Sequence, residues 1–185
     1  MPSINPMFIG AVMGLSEIGL AIFKRSGGDA QSKDGGTLAK LWIIITLCIS
    51  IASIVPHMVS QATITINLNE IALVVFIFGW FLRWYSIIYL GKFFTVNVAI
   101  AQDHRVIDTG PYRFIRHPSY TGLLLELLGF GLFLQNWLSL TILLVPITLA
   151  FVNRMAVEEK ALESFLGIAY ANYKARTKRL IPGVY

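Results

Sequence analysis

The chain has 185 residues, of which 56% are hydrophobic and 14% are charged, and its mean hydropathy is +0.68. This composition excludes an ordinary soluble domain, and the length accommodates one domain. The single cysteine, Cys48, excludes an internal disulfide, and we expect no metal ion because no cysteine-based metal site is suggested. The net charge of +5 would permit a nucleic-acid partner, and whether one is expected depends on where the charges lie along the chain.

Five apolar stretches approach the roughly 20 residues that are needed to cross a bilayer. They cover residues 6–23, 38–59, 71–90, 120–134 and 138–152. The last two stretches are short and are separated by only three residues, which predicts a tight helical hairpin. The sequence therefore predicts an all-α integral membrane protein with five transmembrane helices.

Positive charge is distributed very unevenly between the two sides of such a bundle. Fourteen of the 15 Lys and Arg fall in residues 24–40, 91–119 and 153–185, which share one side, and the opposite side has none. Basic loops mark the cytoplasmic side. We therefore expect the N-terminus outside, the C-terminus in the cytoplasm, contacts with membrane lipids and no nucleic-acid partner.

Three ionisable residues lie inside the predicted spans, namely Glu17, Arg83 and Glu126. Charged groups in a membrane are costly and normally face a partner or a wet cavity. All three lie roughly 9–12 Å from the cytoplasmic ends of their spans, given the rise of a helix. The sequence predicts that Arg83 pairs with Glu126 or Glu17 and forms the floor of a cavity, and a purely structural ion pair stays open as the alternative.

The stretch 110–122 concentrates Arg, His, Tyr, Pro and Gly directly before the fourth span. Pro118 suits the first turn of a helix, so His117 is expected at or beside the helix N-cap. The positive end of a helix dipole can hold an anionic group there. After the fifth span, Arg154 and Glu158 are spaced i and i+4 and share a helix face, either as a simple salt bridge or as a functional pair.

The chain is expected to continue as an amphipathic helix that breaks near Gly167, followed by a basic helix over residues 170–179. This tail is expected to lie on the membrane surface or to cover the cavity.

A compound pattern in the second half of the chain resembles the isoprenylcysteine carboxyl methyltransferase family. Its parts are Gly110-x-Tyr112, Arg116-His117-Pro118-x-Tyr120-x-Gly122, Glu158-Glu159, Phe165-x-Gly167-x-x-Tyr170-x-x-Tyr173 and Arg179-Leu180-Ile181-Pro182. The resemblance covers about residues 90–185 and is closest to the compact prokaryotic type. It implies a single membrane-embedded methyltransferase domain over 1–185, with a cytoplasmic C-terminal helical region that forms the cofactor pocket.

The resemblance also implies S-adenosylmethionine as the methyl donor, and no G-x-G-x-x-G fingerprint is present. Carried over by position, the cofactor contacts fall on Gln102, His104, Arg105, Val106, Ile107, Tyr112, His117, Pro118, Ser119, Tyr120 and Glu158. The catalytic residue that binds the substrate carboxylate falls on Arg154.

The implied enzyme is a protein-S-isoprenylcysteine O-methyltransferase, acting on a lipophilic small molecule or prenylated substrate that enters from the bilayer. A prokaryotic cell membrane is expected in preference to the endoplasmic reticulum. Phospholipid amine N-methylation, a sterol-type reduction and a non-enzymatic membrane role remain as alternatives. The amine reaction requires a base near the acceptor, and no side chain is clearly placed for that in the sequence.

Overall fold

The computed structural model of the protein describes residues 5–23, 36–94 and 105–185, and these ranges contain helices and turns without a β-strand. The helices are α1 Pro6–Phe23, α2 Thr37–Met58, α3 Asn69–Leu90, α4 Pro118–Phe133, α5 Trp137–Leu166 and α6 Ile168–Arg176. Short 3₁₀ turns lie at Ser60–Ala62, Gly91–Phe93 and Gly110–Arg113. The predicted all-α class is confirmed for the described part of the chain.

Within these ranges, three helical segments are long and apolar enough to cross a bilayer: α2, α5, and α3 together with the turn that follows it. The helices α1 and α4 are apolar but shorter. With 16 residues, α4 is about 24 Å long, whereas the hydrocarbon core is about 30 Å thick. Length and composition thus support three of the five predicted spans, and the chain is a multi-pass membrane protein.

The backbones of α3 and α4 approach each other closely because glycines lie in the contact. A Cβ atom on Gly122 would lie 2.6 Å from the backbone nitrogen of Arg83, and one on Gly129 would lie 2.7 Å from the carbonyl oxygen of Ala72. Small residues permit this kind of close packing between helices in lipid. The contact fixes Arg83 beside the first turns of α4.

Gly122→Ala is expected to destabilise the protein by about 1–3 kcal/mol, because the added methyl group overlaps the backbone of α3. The measurement is the melting temperature in detergent, followed by tryptophan fluorescence. Gly19→Ala is the matched control: apart from its chain neighbours and its own helix backbone, no heavy atom of the described residues lies within 4 Å of its Cβ position, and alanine favours helix by up to about 1 kcal/mol. Equal melting temperatures for the two variants would contradict the close contact.

The predicted hairpin between α4 and α5 is confirmed, and its turn is tied to α2. The Asn136 side chain caps α5 by accepting from the backbone nitrogens of Leu138 and Ser139, at 3.0 and 3.1 Å. Its amide donates to the carbonyl oxygen of Val59 at 3.0 Å, just past the end of α2. These bonds give hydrogen-bond partners to backbone groups at the start of α5 and just past the end of α2, and they hold the α4–α5 pair against α2.

The C-terminal segment packs against the start of α4. The break near Gly167 is confirmed, since α5 ends one residue earlier and Gly167 adopts a φ of 57°. The predicted helix over 170–179 was wrong at its end, because α6 stops at Arg176. The following residues are extended so that the carbonyls of Lys178 and Arg179 can accept from the backbone nitrogens of Arg116 and His117, at 2.8 and 3.0 Å.

Candidate functional site

A cavity of about 480 Å³ lies among the helices. This volume is typical of a small-molecule site. One region, here called the polar part, is lined by His117, Ser119, Tyr120, Arg154 and Glu158. A second region, here called the apolar arm, is lined by residues of α1 and α2, including Met13, Ile18, Leu41, Trp42, Ile45 and Ile49. The wall of this one cavity therefore contains both charged side chains and many apolar side chains of α1 and α2.

Most of the predicted cofactor residues line this one cavity. They are Arg105, Val106, Ile107, Tyr112, His117, Ser119, Tyr120 and Glu158. Pro118 is buried at the first position of α4 and does not line the cavity. Gln102 and His104 lie outside the described residues.

The start of α4 forms one side of the polar part. His117 occupies the N-cap position, as predicted, and its carbonyl accepts from the backbone nitrogens of Tyr120 and Thr121, at 3.0 and 3.1 Å. No side chain of the described ranges caps this helix. An uncapped helix N-terminus carries partial positive charge and attracts anionic groups.

Tyr112 is fixed between α3 and α6. Its hydroxyl donates to the carbonyl oxygen of Ser86 at 3.1 Å, and its own carbonyl accepts from the hydroxyl of Tyr173 at 2.7 Å. Burial raises the pKa of Tyr112 above its usual range, so the phenol stays neutral at physiological pH. The ring is thus a rigid, uncharged wall of the cavity.

Arg154, Glu158 and Tyr120 form a closed cluster facing the cavity. The Nε of Arg154 lies 3.2 Å from Oε1 of Glu158 and donates to the hydroxyl oxygen of Tyr120 at 3.1 Å. The Tyr120 hydroxyl donates to the same Glu158 oxygen at 2.5 Å. The Arg154 side chain is 2% exposed and that of Glu158 is 20% exposed. The predicted i, i+4 pair therefore exists, and Glu158 is its more accessible member.

Aromatic rings continue this cluster. His117 and Tyr120 stack with ring centroids 5.5 Å apart, and Tyr120 stacks on Phe151 at 4.7 Å. Such stacking restricts the Tyr120 ring, so the hydroxyl between Arg154 and Glu158 is held in place. The polar part thus offers a carboxylate, a guanidinium and a helix N-terminus within one preorganised wall.

Glu159 is a buried carboxylate that interacts with three basic residues, and the sequence analysis assigned it no role. It accepts from Nε of Arg116 at 2.9 Å and from Nη2 of Arg179 at 3.0 Å, and it lies 3.2 Å from Nε2 of His117. The hydrogen bonds with Glu159 raise the pKa of the Arg179 guanidinium above its usual range. Glu159 therefore holds the C-terminal segment and His117 together. Its signal in the sequence was its position beside Glu158 in the family pattern.

The predicted ion pair of Arg83 is confirmed, with Glu17 as the partner. Nε and Nη2 of Arg83 donate to the two carboxylate oxygens of Glu17, each at 2.5 Å. Both residues line the cavity. Glu126 is completely buried and is not part of the cavity wall.

Named proteins of other organisms are similar to this chain in sequence. Protein-S-isoprenylcysteine O-methyltransferase B of Arabidopsis thaliana is 32% identical over 119 residues, which cover 63% of this chain and 60% of that relative. The protein-S-isoprenylcysteine O-methyltransferase of Schizosaccharomyces pombe is 32% identical over 106 residues, which cover 56% of this chain and 45% of the relative. The chain thus spans less than two thirds of the length of these relatives.

The fold is similar to that of a solved membrane methyltransferase. The structure of the eukaryotic intramembrane Ras methyltransferase ICMT superposes with a TM-score of 0.72 and 24% sequence identity, covering 97% of this chain and 65% of that chain. The sequence profile of the isoprenylcysteine carboxyl methyltransferase family matches residues 71–164, just over half of the chain. The protein therefore belongs to the isoprenylcysteine carboxyl methyltransferase (ICMT) family.

Proposed function

We propose that the protein is an S-adenosylmethionine-dependent methyltransferase that methylates the carboxylate of an isoprenylcysteine-like, lipophilic acceptor. The observation that carries this proposal is that one cavity is lined by both the polar part and the apolar arm. A methyltransferase for a prenylated carboxylate needs both regions, because its cofactor is soluble and charged while its acceptor carries a long hydrocarbon chain.

The polar part fits the amino-acid end of S-adenosylmethionine. Glu158, whose carboxylate is partly accessible, has the charge to bind the ammonium group, and the uncapped N-terminus of α4 suits the carboxylate. Tyr112 and Tyr120 supply aromatic surface for the adenosine. Arg105, Val106, Ile107 and Ser119 are proposed as further cofactor-site residues, with Gln102 and His104 from the adjoining segment. Pro118, which does not line the cavity, is proposed only as the residue that starts α4 beside this site.

S-adenosylmethionine held by these residues would supply an electrophilic methyl group on its sulfonium for transfer to the acceptor oxygen, which would leave a neutral thioether. A carboxylate is already ionised near pH 7, since the pKa of an ordinary carboxyl group in water is about 4. The protein therefore needs no general base and contributes alignment and exclusion of water. Arg154 is proposed to bind the acceptor carboxylate with two parallel N–H groups of its planar guanidinium. These new hydrogen bonds would replace those that Arg154 donates to Tyr120 and Thr37.

The membrane arrangement that we propose is a single domain over residues 1–185 with five spans and its basic loops in the cytoplasm. This orientation presents the polar part to a soluble cofactor, while the apolar arm between α1 and α2 receives the acceptor from the bilayer. A prokaryotic cell membrane is the proposed location. The acceptor class includes prenylated proteins and free lipophilic carboxylates.

His117→Ala is expected to weaken S-adenosylmethionine binding about tenfold or more, because it removes a buried polar group beside the proposed carboxylate site. Isothermal titration of the purified protein in nanodiscs measures the dissociation constant. His57→Ala is the control, since His57 is exposed near the opposite end of the bundle and should bind the cofactor normally. An unchanged constant for His117→Ala would contradict its proposed role.

A further inference from the structure

Two consecutive residues of α1 are bound to two consecutive residues of α3. Glu17 accepts from Nε and Nη2 of Arg83, and Ser16 accepts from Nε1 of Trp84 at 2.7 Å. The remaining Nη1 of Arg83 donates to the carbonyl oxygen of Ser119 at 3.1 Å. Arg83 therefore links α1 to the first turn of α4, where the polar part begins.

A second carboxyl group belongs to α4 and lies where that helix packs against α3. Glu126 is completely buried, and neither of its carboxyl oxygens has a hydrogen-bond partner among the described residues. A Cβ atom on Gly79, which lies one turn before Arg83 in α3, would lie 2.6 Å from the backbone nitrogen of Glu126, so Glu126 packs against α3 close to Arg83. Buried polar groups are nearly always hydrogen-bonded, so this unbonded carboxyl requires a physical reason. Arg83 is thus bound by the carboxyl of Glu17, and a second, unbonded carboxyl belongs to a residue that packs one turn away along α3.

The helix that Arg83 holds is also a wall of the apolar arm. Met13, Gly14, Glu17 and Ile18 of α1 line the cavity. Other side chains of α1 point away from the protein, with Leu15 exposed by 71%. Displacement of α1 would therefore open the apolar arm sideways, toward the surrounding lipid.

We propose that Glu17 and Glu126 are alternative partners of Arg83, and that exchange between them releases α1 as the movable wall of the apolar arm. An arginine inside a bilayer is costly unless it is paired or faces water. Glu126 becomes the carboxyl partner of Arg83 when α1 is displaced, so the guanidinium is not left without a counter-charge. Glu17 is then a positioning residue that controls access of the acceptor. That the moving wall admits an acceptor carboxylate rests on the proposed function.

Cysteine labelling of the full chain in nanodiscs tests the release of α1 without any activity measurement. In a Cys48→Ala background, Met13→Cys places a thiol on the cavity face of α1, and Leu143→Cys places a fully buried control thiol on α5. Glu17→Gln is expected to raise the N-ethylmaleimide labelling rate at Met13→Cys at least about fivefold and to leave Leu143→Cys unchanged. An unchanged rate at Met13→Cys, or an equal rise at both positions, would overturn the proposal.

A stability cycle tests the exchange of partners. Glu17→Gln and Glu126→Gln each leave Arg83 one carboxyl, whereas the double variant leaves none. The fall in melting temperature of the double variant is therefore expected to exceed the sum of the two single effects. Additive effects, or failure of Glu17→Gln to fold, would contradict the exchange. If the labelling and stability results were as expected but no methyl transfer occurred, only the proposed function would be contradicted. If methyl transfer occurred but the labelling and stability results were not as expected, only the movable wall would be contradicted.

Discussion

Arg154→Ala is expected to reduce methyl transfer to a prenylated-cysteine analogue by about 10²-fold or more, while S-adenosylmethionine affinity changes far less. The reason is alignment: loss of the fork leaves the acceptor carboxylate free to rotate away from the line of attack, and small misplacements of reacting atoms cost rates of this order. Initial rates with a tritiated methyl donor give the transfer activity, and titration of the same preparation gives the cofactor dissociation constant.

Two controls separate this role from structural support. Arg154→Lys keeps the positive charge but loses the planar fork, so an intermediate rate is expected. Thr37→Ala removes the Thr37 hydroxyl that accepts from Nη1 of Arg154 and should retain near wild-type transfer. An equal loss of transfer and cofactor binding in Arg154→Ala would identify Arg154 as a cofactor ligand or a structural residue instead.

Glu159→Gln is expected to cost about 3–5 kcal/mol of stability, because Arg116, Arg179 and His117 lose the buried carboxylate that holds them. The corresponding fall in melting temperature is roughly 6–20 °C for a chain of this size. Tryptophan fluorescence during heating in detergent measures it. Cofactor affinity should fall as well, because His117 is positioned by the same carboxylate.

Glu163→Gln is the matched control for this variant, since it lies one turn further along α5. Its ion pair with Lys174, at 3.0 Å, joins side chains that are 44% and 39% exposed. Exposed pairs contribute at most about 1 kcal/mol, so the melting temperature should stay close to that of the wild type. If Glu159→Gln had the same melting temperature as Glu163→Gln, the buried interactions of Glu159 would contribute little to the stability of the fold.

The local features of the site were predictable from sequence because they depend on neighbouring residues. Pro118 after His117 predicted the start of α4, and the i, i+4 spacing predicted the Arg154–Glu158 pair. The family pattern then predicted that these two elements belong to one site, and the structure brings both to one cavity.

The features that sequence reasoning missed depend on contacts between distant segments. Adjacent helical residues point about 100° apart, so Glu159 faces a different side of α5 from Glu158, and its partners Arg116 and Arg179 lie far away in the chain. The end of α6 at Arg176 is likewise set by backbone pairing with the start of α4 rather than by helix propensity.

The chemical identity of the methylated group tests the central proposal most directly. The wild-type protein in nanodiscs is incubated with tritiated S-adenosylmethionine and either an S-prenylcysteine with a free carboxyl group or its carboxamide. We expect base-labile methyl ester to form on the free carboxylate and no product on the carboxamide. Base-stable label on phosphatidylethanolamine, or binding of a nicotinamide cofactor with no binding of S-adenosylmethionine, would contradict the proposed function.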